Sequence, residues 1–434
     1  MSLELKRSLR LWDGLAMVVG IMVGAGIFRT PGLVAAQLGR PWLTFVAWIA
    51  GGALAFLGAL LFAELATRLP RAGGKYVYAR AAFGPRAAFV VGWVEALGIY
   101  AAAIAAIGVA AGEFLVRLTG WPPRAATPWA GVGFVALFTG INLVGVASGR
   151  WVQNLVTAAK VVALGGVVVI ALAHGNGSGW HGVLPGAPRG AAVWGALAVA
   201  FQSVIWTYYG YVDAAKIAEE VVDPGRTLPR VFVGGIALAA VLYLLLNAAF
   251  FNVLPLEQVA ASNLVAADAA AAIFGTRGEM VIAALALIVV LASLNGNVFV
   301  TPRVLFGMAR EGLAPASLAR VNRGGTPWVA MLVVGAVALG LAATGTFGDL
   351  LSLAIVLILL IDGFVVAALF RLRARASEAP FRVPFFPALP VLFLLVYAAL
   401  LVGTAVAQPL VVVKAGVVLA AAYGLSWVAT FHVG

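Results

Sequence analysis

Cysteine is absent from this 434-residue chain, and histidine occurs only three times. The first absence excludes disulfides, thiolate metal sites and cysteine nucleophiles. His174 and His181 share one expected loop and His432 lies at the far end, so no metal cluster is predicted and no cofactor is called for. Charge is scarce too, at 10% of residues, where a soluble domain carries roughly 25%. No paired-carboxylate motif lies in an apolar stretch, and no nucleotide-binding loop occurs. Those absences argue against a membrane enzyme and against an ATP-driven pump.

What the chain has in excess is hydrophobic residues, at 63%. No protein core of this size buries so many, so lipid must be the solvent for much of the surface. Long apolar runs such as 42–63, 129–146 and 231–253 have the length of a membrane-crossing helix. The period-two alternation of a membrane β-barrel is missing. The runs predict an all-α polytopic membrane protein of 12 transmembrane helices, at 12–36, 43–67, 87–114, 129–146, 150–173, 192–217, 231–254, 279–306, 327–344, 347–371, 387–406 and 409–431. Only Gln408 and Pro409 divide the last two. The connections at 173–191 and 254–278 read as long outer loops, and 372–387 as a Pro-rich inner one.

The net charge of +12 could suggest nucleic acid. Its distribution excludes that partner. Lys6, Arg7 and Arg10, Arg68 through Arg86 with Lys75 among them, Arg150, Lys216, Arg226, Arg230, Arg303, Arg310 and Arg320 to Arg382 all fall on one side of the predicted spans. The other side holds Arg40, Arg117, Arg124, Arg189 and Arg277. This is the positive-inside bias, so both termini are expected in the cytoplasm of a cell-membrane protein. The leader is charged and the first span is long, so no cleaved signal peptide is expected.

Two spans are unusual. The first carries Gly20, Gly24, Ala25 and Gly26 in its middle; the sixth reads Trp206-Thr207-Tyr208-Tyr209-Gly210-Tyr211. Glycine either lets helices pack closely or lets the backbone leave helical geometry. Spans one and six are five apart, and interrupted helices in corresponding positions of two halves point to a transporter site. Lys160 lies about ten residues into span five, ~15 Å from its cytoplasmic end, and an ionisable residue at that depth is a functional candidate. It is either a structural pin or a proton carrier. Glu95 is similarly deep in span three, with a hydrogen-bonded structural role ahead of a substrate or proton role. Asp213 and Lys216, three apart, suit a local salt bridge. Glu64, Glu219 and Glu220 sit near basic segments that suit ion pairs. Asp362 in span ten has no assigned role.

Several ordered motifs resemble one superfamily. Gly20 to Phe28 fits G-x-x-x-G-[SA]-G-I-F; Trp93-Val94-Glu95 fits W-V-E; Gln153 to Lys160 fits Q-x-x-x-T-x-x-K; Glu219 to Arg230 fits E-E-x-x-x-P-x-R-x-[LI]-P-[RK]; Leu294-Asn295-Gly296 and Ala309-Arg310-Glu311-Gly312 follow. The chain resembles the amino acid–polyamine–organocation (APC) superfamily, most closely the L-type amino acid transporters and their bacterial relatives. The resemblance implies a single transporter domain over 1–434 with a 5+5 inverted repeat, about 12–173 and 192–371, plus two additional helices at 387–431. It implies discontinuous helices 1 and 6 and alternating access. N–H groups of Gly24, Ala25 and Gly26 would hold the substrate carboxylate, and carbonyls near Ile21 or Met22 and at Trp206 or Tyr209, beside Gly210, would take the amine. Ala25 stands where many relatives have serine, and Tyr209 where many have a smaller or polar residue. Trp206 would cap the substrate. Lys160 would replace a sodium ion, contacting a carbonyl near Gly20 and the hydroxyl of Ser293. The expected activity is sodium-independent exchange of a neutral, small or apolar L-amino acid. Proton symport, a cationic substrate with Glu95 or Asp213 as counter-ion, and a channel are the alternatives. The lipid bilayer and the amino acid are the expected partners. The stretch 117–129 lacks the cysteine through which animal relatives join a glycoprotein, so no disulfide-linked partner is expected.

Overall fold

A chain in hydrocarbon has no water to satisfy its backbone, so apolar runs must close their hydrogen bonds internally as helices. The computed structural model describes residues 7, 9–144, 147–344, 347–375 and 378–428. Lys6, both termini, His432 and the ends of the fourth and twelfth expected spans lie outside them. Among the described residues there is no strand, only one isolated bridge, between Leu9 and Val221.

Nine helices among the described residues are long and apolar enough to cross a membrane: Pro41–Arg68, Pro85–Thr119, Ala126–Val144, Gln153–His174, Pro224–Val253, Met280–Arg310, Leu350–Arg375, Ala388–Ala407 and Pro409–Val428. A tenth crossing is the pair Leu11–Met22 and Gly26–Leu38, bent by 45° at the break between them. The expected sixth and ninth spans are shorter helices, Ala192–Tyr208 and Trp328–Thr344, of 17 residues each. At 1.5 Å per residue each covers ~26 Å, less than a ~30 Å hydrocarbon core. Gln408 leaves helical geometry (φ −139°, ψ 64°), so the last two helices are separate.

Two connections differ from their reading as loops. Residues 254–278 contain the helices Leu256–Ala261 and Val265–Gly275. The latter ends at Gly275, whose φ of 66° breaks the rod before Met280. Residues 69–84 fold back as a turn and the helix Lys75–Phe83, which carries a lysine into the interior. The third span is continuous but wider in its middle, because Val94–Tyr100 is a π-helix. Such segments concentrate at functional sites.

The polarity of the surface is inverted relative to a water-soluble protein. Leu155, Val162, Val402, Val406, Leu410 and Val428 are exposed, whereas Glu64, Lys75, Glu95, Lys160, Asp213, Lys216 and Asp362 are buried. That arrangement is stable only with lipid outside and with the buried charges paired, hydrogen-bonded or neutralised inside. The chain is therefore a multi-pass membrane protein.

Candidate functional site

The first break follows from its glycines. The helix Leu11–Met22 ends at Val23, and Gly24 takes an extended, non-helical conformation (φ −138°, ψ −144°) before Ala25–Leu38 resumes. Close approach also requires glycine here. A Cβ on Gly24 would lie 2.6 Å from Ser293 Oγ, and one on Gly26 would lie 2.8 Å from Thr207 Oγ1. No side chain caps the new helix at Gly24. The N–H groups of its first turn therefore form an anion-friendly helix end with a positive dipole.

The carbonyls that end the preceding half-helix are taken one by one. Lys160 Nζ donates to Gly20 O at 2.5 Å and to Val23 O at 2.8 Å. Ser293 Oγ donates to Ile21 O at 2.8 Å. The hydroxyl of Tyr243 lies 2.7 Å from Met22 O and 3.0 Å from Thr207 O, joining the two interrupted spans. The expected contact between Lys160 and Ser293 is thus not made. Lysine instead straddles the break from Gly20 to Val23, and Ser293 serves the carbonyl between them. Each carbonyl oxygen retains a second lone pair.

The second break is built differently. Helix Ala192–Tyr208 stops at Tyr209, which is extended (φ −73°, ψ 143°). Gly210 follows at φ 130°, a region that L side chains rarely adopt. The chain then continues as the 3₁₀ turns Tyr211–Ala215 and Ala218–Glu220. A Cβ on Gly210 would stand 2.8 Å from Met22 Cγ, so the two breaks meet.

Between the breaks lies a cavity of about 40 Å³. Ile21, Met22, Gly24, Gly26, Trp206, Tyr209, Gly210 and Ser293 line it, so the structure brings these predicted residues together. Ala25 contributes the first backbone position of its helix. Gly20, Lys160 and Glu95 are not among the residues that line it. Ile99, Tyr100, Ala103, Ile107, Thr207, Asp213 and Asn297 complete the lining. Sequence reading missed Tyr100, which follows Glu95 by five residues, and for Asp213 put a local salt bridge ahead of a role as substrate counter-ion.

Beside the cavity is a buried cluster of five charges. Lys75 Nζ is 2.6 Å from Asp362 Oδ1 and 4.0 Å from Glu95 Oε1. Lys216 Nζ is 2.7 Å from Asp213 Oδ1 and 3.8 Å from Glu95 Oε1. Tyr100 donates its hydroxyl proton to Asp213 at 2.8 Å, and the Tyr209 hydroxyl bonds Lys75. Lys75 and Lys216 were both expected among cytoplasmic charges; each is 1% exposed. The helix Lys75–Phe83 and the 3₁₀ segment Tyr211–Ala215 carry them inward, which a count of loop charges does not register. The tyrosine ring of Tyr209 accordingly reaches from the cavity to the charges. Glu64 is held by Arg68, Arg373 and the N–H of Val383, while Glu219 and Glu220 pair with Arg310 and Arg303.

Among the described residues no group of histidines and carboxylates could hold a metal ion. The geometry suits a small zwitterion: an open helix N-terminus faces helix-terminal carbonyls across a cavity inside the membrane. Residues 9–427 match the amino acid permease family. The serine/threonine exchanger SteT of Bacillus subtilis is 28% identical over 397 residues, 89% of each chain. The b(0,+)-type amino acid transporter 1 of Mus musculus is 29% identical over 420 residues, 94% of this chain and 84% of its own. The cystine/glutamate transporter of Homo sapiens is 30% identical over 400 residues, 90% of this chain and 78% of its own. This chain belongs to the amino acid permease family of the APC superfamily, and is a membrane transporter, not an enzyme.

Proposed function

We propose that this chain exchanges small neutral L-amino acids across the cell membrane by alternating access, without sodium. The observation that carries this reading is the meeting of two interrupted spans at one small cavity. The substrate carboxylate binds the N–H groups of Gly24, Ala25 and Gly26, where the helix dipole favours negative charge. The ammonium takes the spare lone pairs of Ile21 and Met22 and the carbonyls that end Ala192–Tyr208. Trp206 and Tyr209 close over and under the ligand.

Size selects the substrate. A cavity of about 40 Å³ admits only a few waters as it stands. A short side chain needs least widening, in keeping with a serine/threonine exchanger among the relatives. Lys160 supplies a fixed cation between two carbonyls, where a coupling ion would otherwise sit. In this reading the bent pair and the two 17-residue helices complete twelve spans with the nine longer ones. The spans form a 5+5 inverted repeat, about 12–173 and 192–371, followed by two further helices. Both termini are cytoplasmic.

Asp213 in the cavity wall favours a second reading, a substrate with a cationic side chain. Lys216 at 2.7 Å already offsets that carboxylate, which is why the neutral substrate is preferred. Purified protein in sodium-free proteoliposomes preloaded with single amino acids tests both. Internal serine, threonine or alanine should accelerate uptake of the same labelled amino acids. Uptake indifferent to preloading rejects exchange, and acceleration by lysine or arginine alone rejects the neutral substrate.

A further inference from the structure

The charge cluster beside the cavity does not balance. Its two lysines each take one aspartate at ion-pair distance, Lys75 with Asp362 and Lys216 with Asp213. Glu95 is the odd fifth charge, at 4.0 Å and 3.8 Å from ammonium groups already engaged. Fully ionised, the five carry a surplus of one negative charge on side chains that are each at most 1% exposed.

Hydrogen bonding points the same way. Among the described residues, neither oxygen of Glu95 has a hydrogen-bond partner, and Oδ2 of Asp213 and of Asp362 are also without one. All three side chains are at most 1% exposed. A buried, unpaired carboxylate is far costlier than its neutral form, because it has lost water and gained no donor. One proton removes the surplus charge and supplies a donor for the orphaned oxygens. The groups that face Glu95 are Lys75, Lys216, Asp213 and Asp362, with Tyr78, Tyr100 and Tyr209 around them. Glu95 also sits in the π-helical turn Val94–Tyr100, while Asp213, Tyr100 and Tyr209 line the cavity itself. The cluster and the cavity therefore share a wall.

We propose that Glu95 is an exchangeable-proton site, linked through Lys216 and Asp213 to the substrate cavity, and that its protonation makes transport pH-dependent. The step forms or breaks one O–H bond. A proton from water enters on the Glu95 carboxylate and the cluster passes from a net charge of minus one to zero. The sign follows. As pH rises the proton is lost, the wall holds an uncompensated buried charge, and transport slows.

The experiment is amino acid counterflow in proteoliposomes at matched internal and external pH, for wild type and Glu95→Gln. Wild-type rate should fall with rising pH, by up to about tenfold per unit where Glu95 titrates. Glu95→Gln mimics the protonated acid and should transport at the acid-limb rate, with a flat profile. A Glu95→Gln profile that follows the wild type overturns the proposal, as does a flat wild-type profile. Infrared spectra of the wild-type protein give a readout independent of transport and of the variant's folding. A protonated carboxyl band that shifts or disappears at high pH is expected, and its absence at every pH overturns the proposal. If no amino acid gives counterflow, the exchange reading fails while the infrared band still decides the proton site.

Discussion

The ammonium of Lys75 lies 2.6 Å from the carboxylate of Asp362, and neither side chain is more than 1% exposed. One residue comes from a short helix after a glycine pair, the other from the middle of Leu350–Arg375. Each is the other's nearest opposite charge, with Glu95 the next carboxylate at 4.0 Å from Lys75. Removing one partner leaves a buried charge and costs about 3–5 kcal/mol, whereas removing both costs far less. Lys75→Met should lower the thermal unfolding temperature in detergent strongly, Asp362→Leu less, because Glu95 at 4.0 Å can take its place beside Lys75, and the double variant should recover most of the Lys75→Met loss. Additive losses in that cycle would mean that the pair is not coupled.

Lys160 holds the first break by bridging Gly20 O and Val23 O. Without it two buried carbonyls lose a charged donor, at about 1.5–3 kcal/mol for each such bond. Helices packed on every side keep the fold. Lys160→Ala should therefore remain monodisperse but lose at least about tenfold in counterflow rate, since 1.4 kcal/mol is already a factor of ten. Turnover equal to wild type would remove Lys160 from the mechanism.

Much of this was legible in the sequence, and what was not has physical reasons. Glycines at 20, 24 and 26 in a single apolar run announce a break, because three within two helical turns weaken the helix there. The depth of Lys160 follows from helix rise alone. Its second partner did not: whether an ammonium meets Val23 or Ser293 depends on rotamers and on the register between helices, which spacing does not carry. Lys75 was misplaced for a different reason. The positive-inside count treats every loop cation as solvated, and residues 69–84 fold inward instead. Asp362 had no evident role until Lys75 appeared beside it. The π-helix at Val94–Tyr100 has no compositional mark at all. Helices within 254–278 went unread because Asn263, Gly275 and Gly278 resemble the punctuation of a loop.

Gly24 permits the contact with Ser293, and the distances make it testable. A Cβ at position 24 would stand 2.6 Å from Ser293 Oγ and 2.9 Å from its Cβ. Gly24→Ala should abolish transport by forcing the two helices apart. Ser293→Gly removes both clashing atoms, so Gly24→Ala with Ser293→Gly should regain part of the rate lost in Gly24→Ala alone. The rescue is partial because Ile21 O then loses its donor. No rescue would move the cause from packing to the conformation of Gly24 itself.

Gly210 answers to two penalties at once. Its φ of 130° disfavours any L side chain, and a Cβ there would lie 2.8 Å from Met22 Cγ and 3.2 Å from the Met22 nitrogen. The first penalty is of the order of 1–3 kcal/mol and is independent of neighbours. The second depends on Met22, whose side chain can be shortened while its backbone nitrogen cannot move away. Gly210→Ala should lower stability and stop transport. Adding Met22→Ala should restore little of either, in contrast to the rescue expected at Gly24. Gly363→Ala is the control, because a Cβ there meets only Leu394 Cδ2 at 3.8 Å, an ordinary contact. That variant should transport normally and be no less stable than wild type, since alanine is the better helix former. Full recovery of Gly210→Ala by Met22→Ala would show that contact with the first break, and not the backbone of the second, demands glycine at this position.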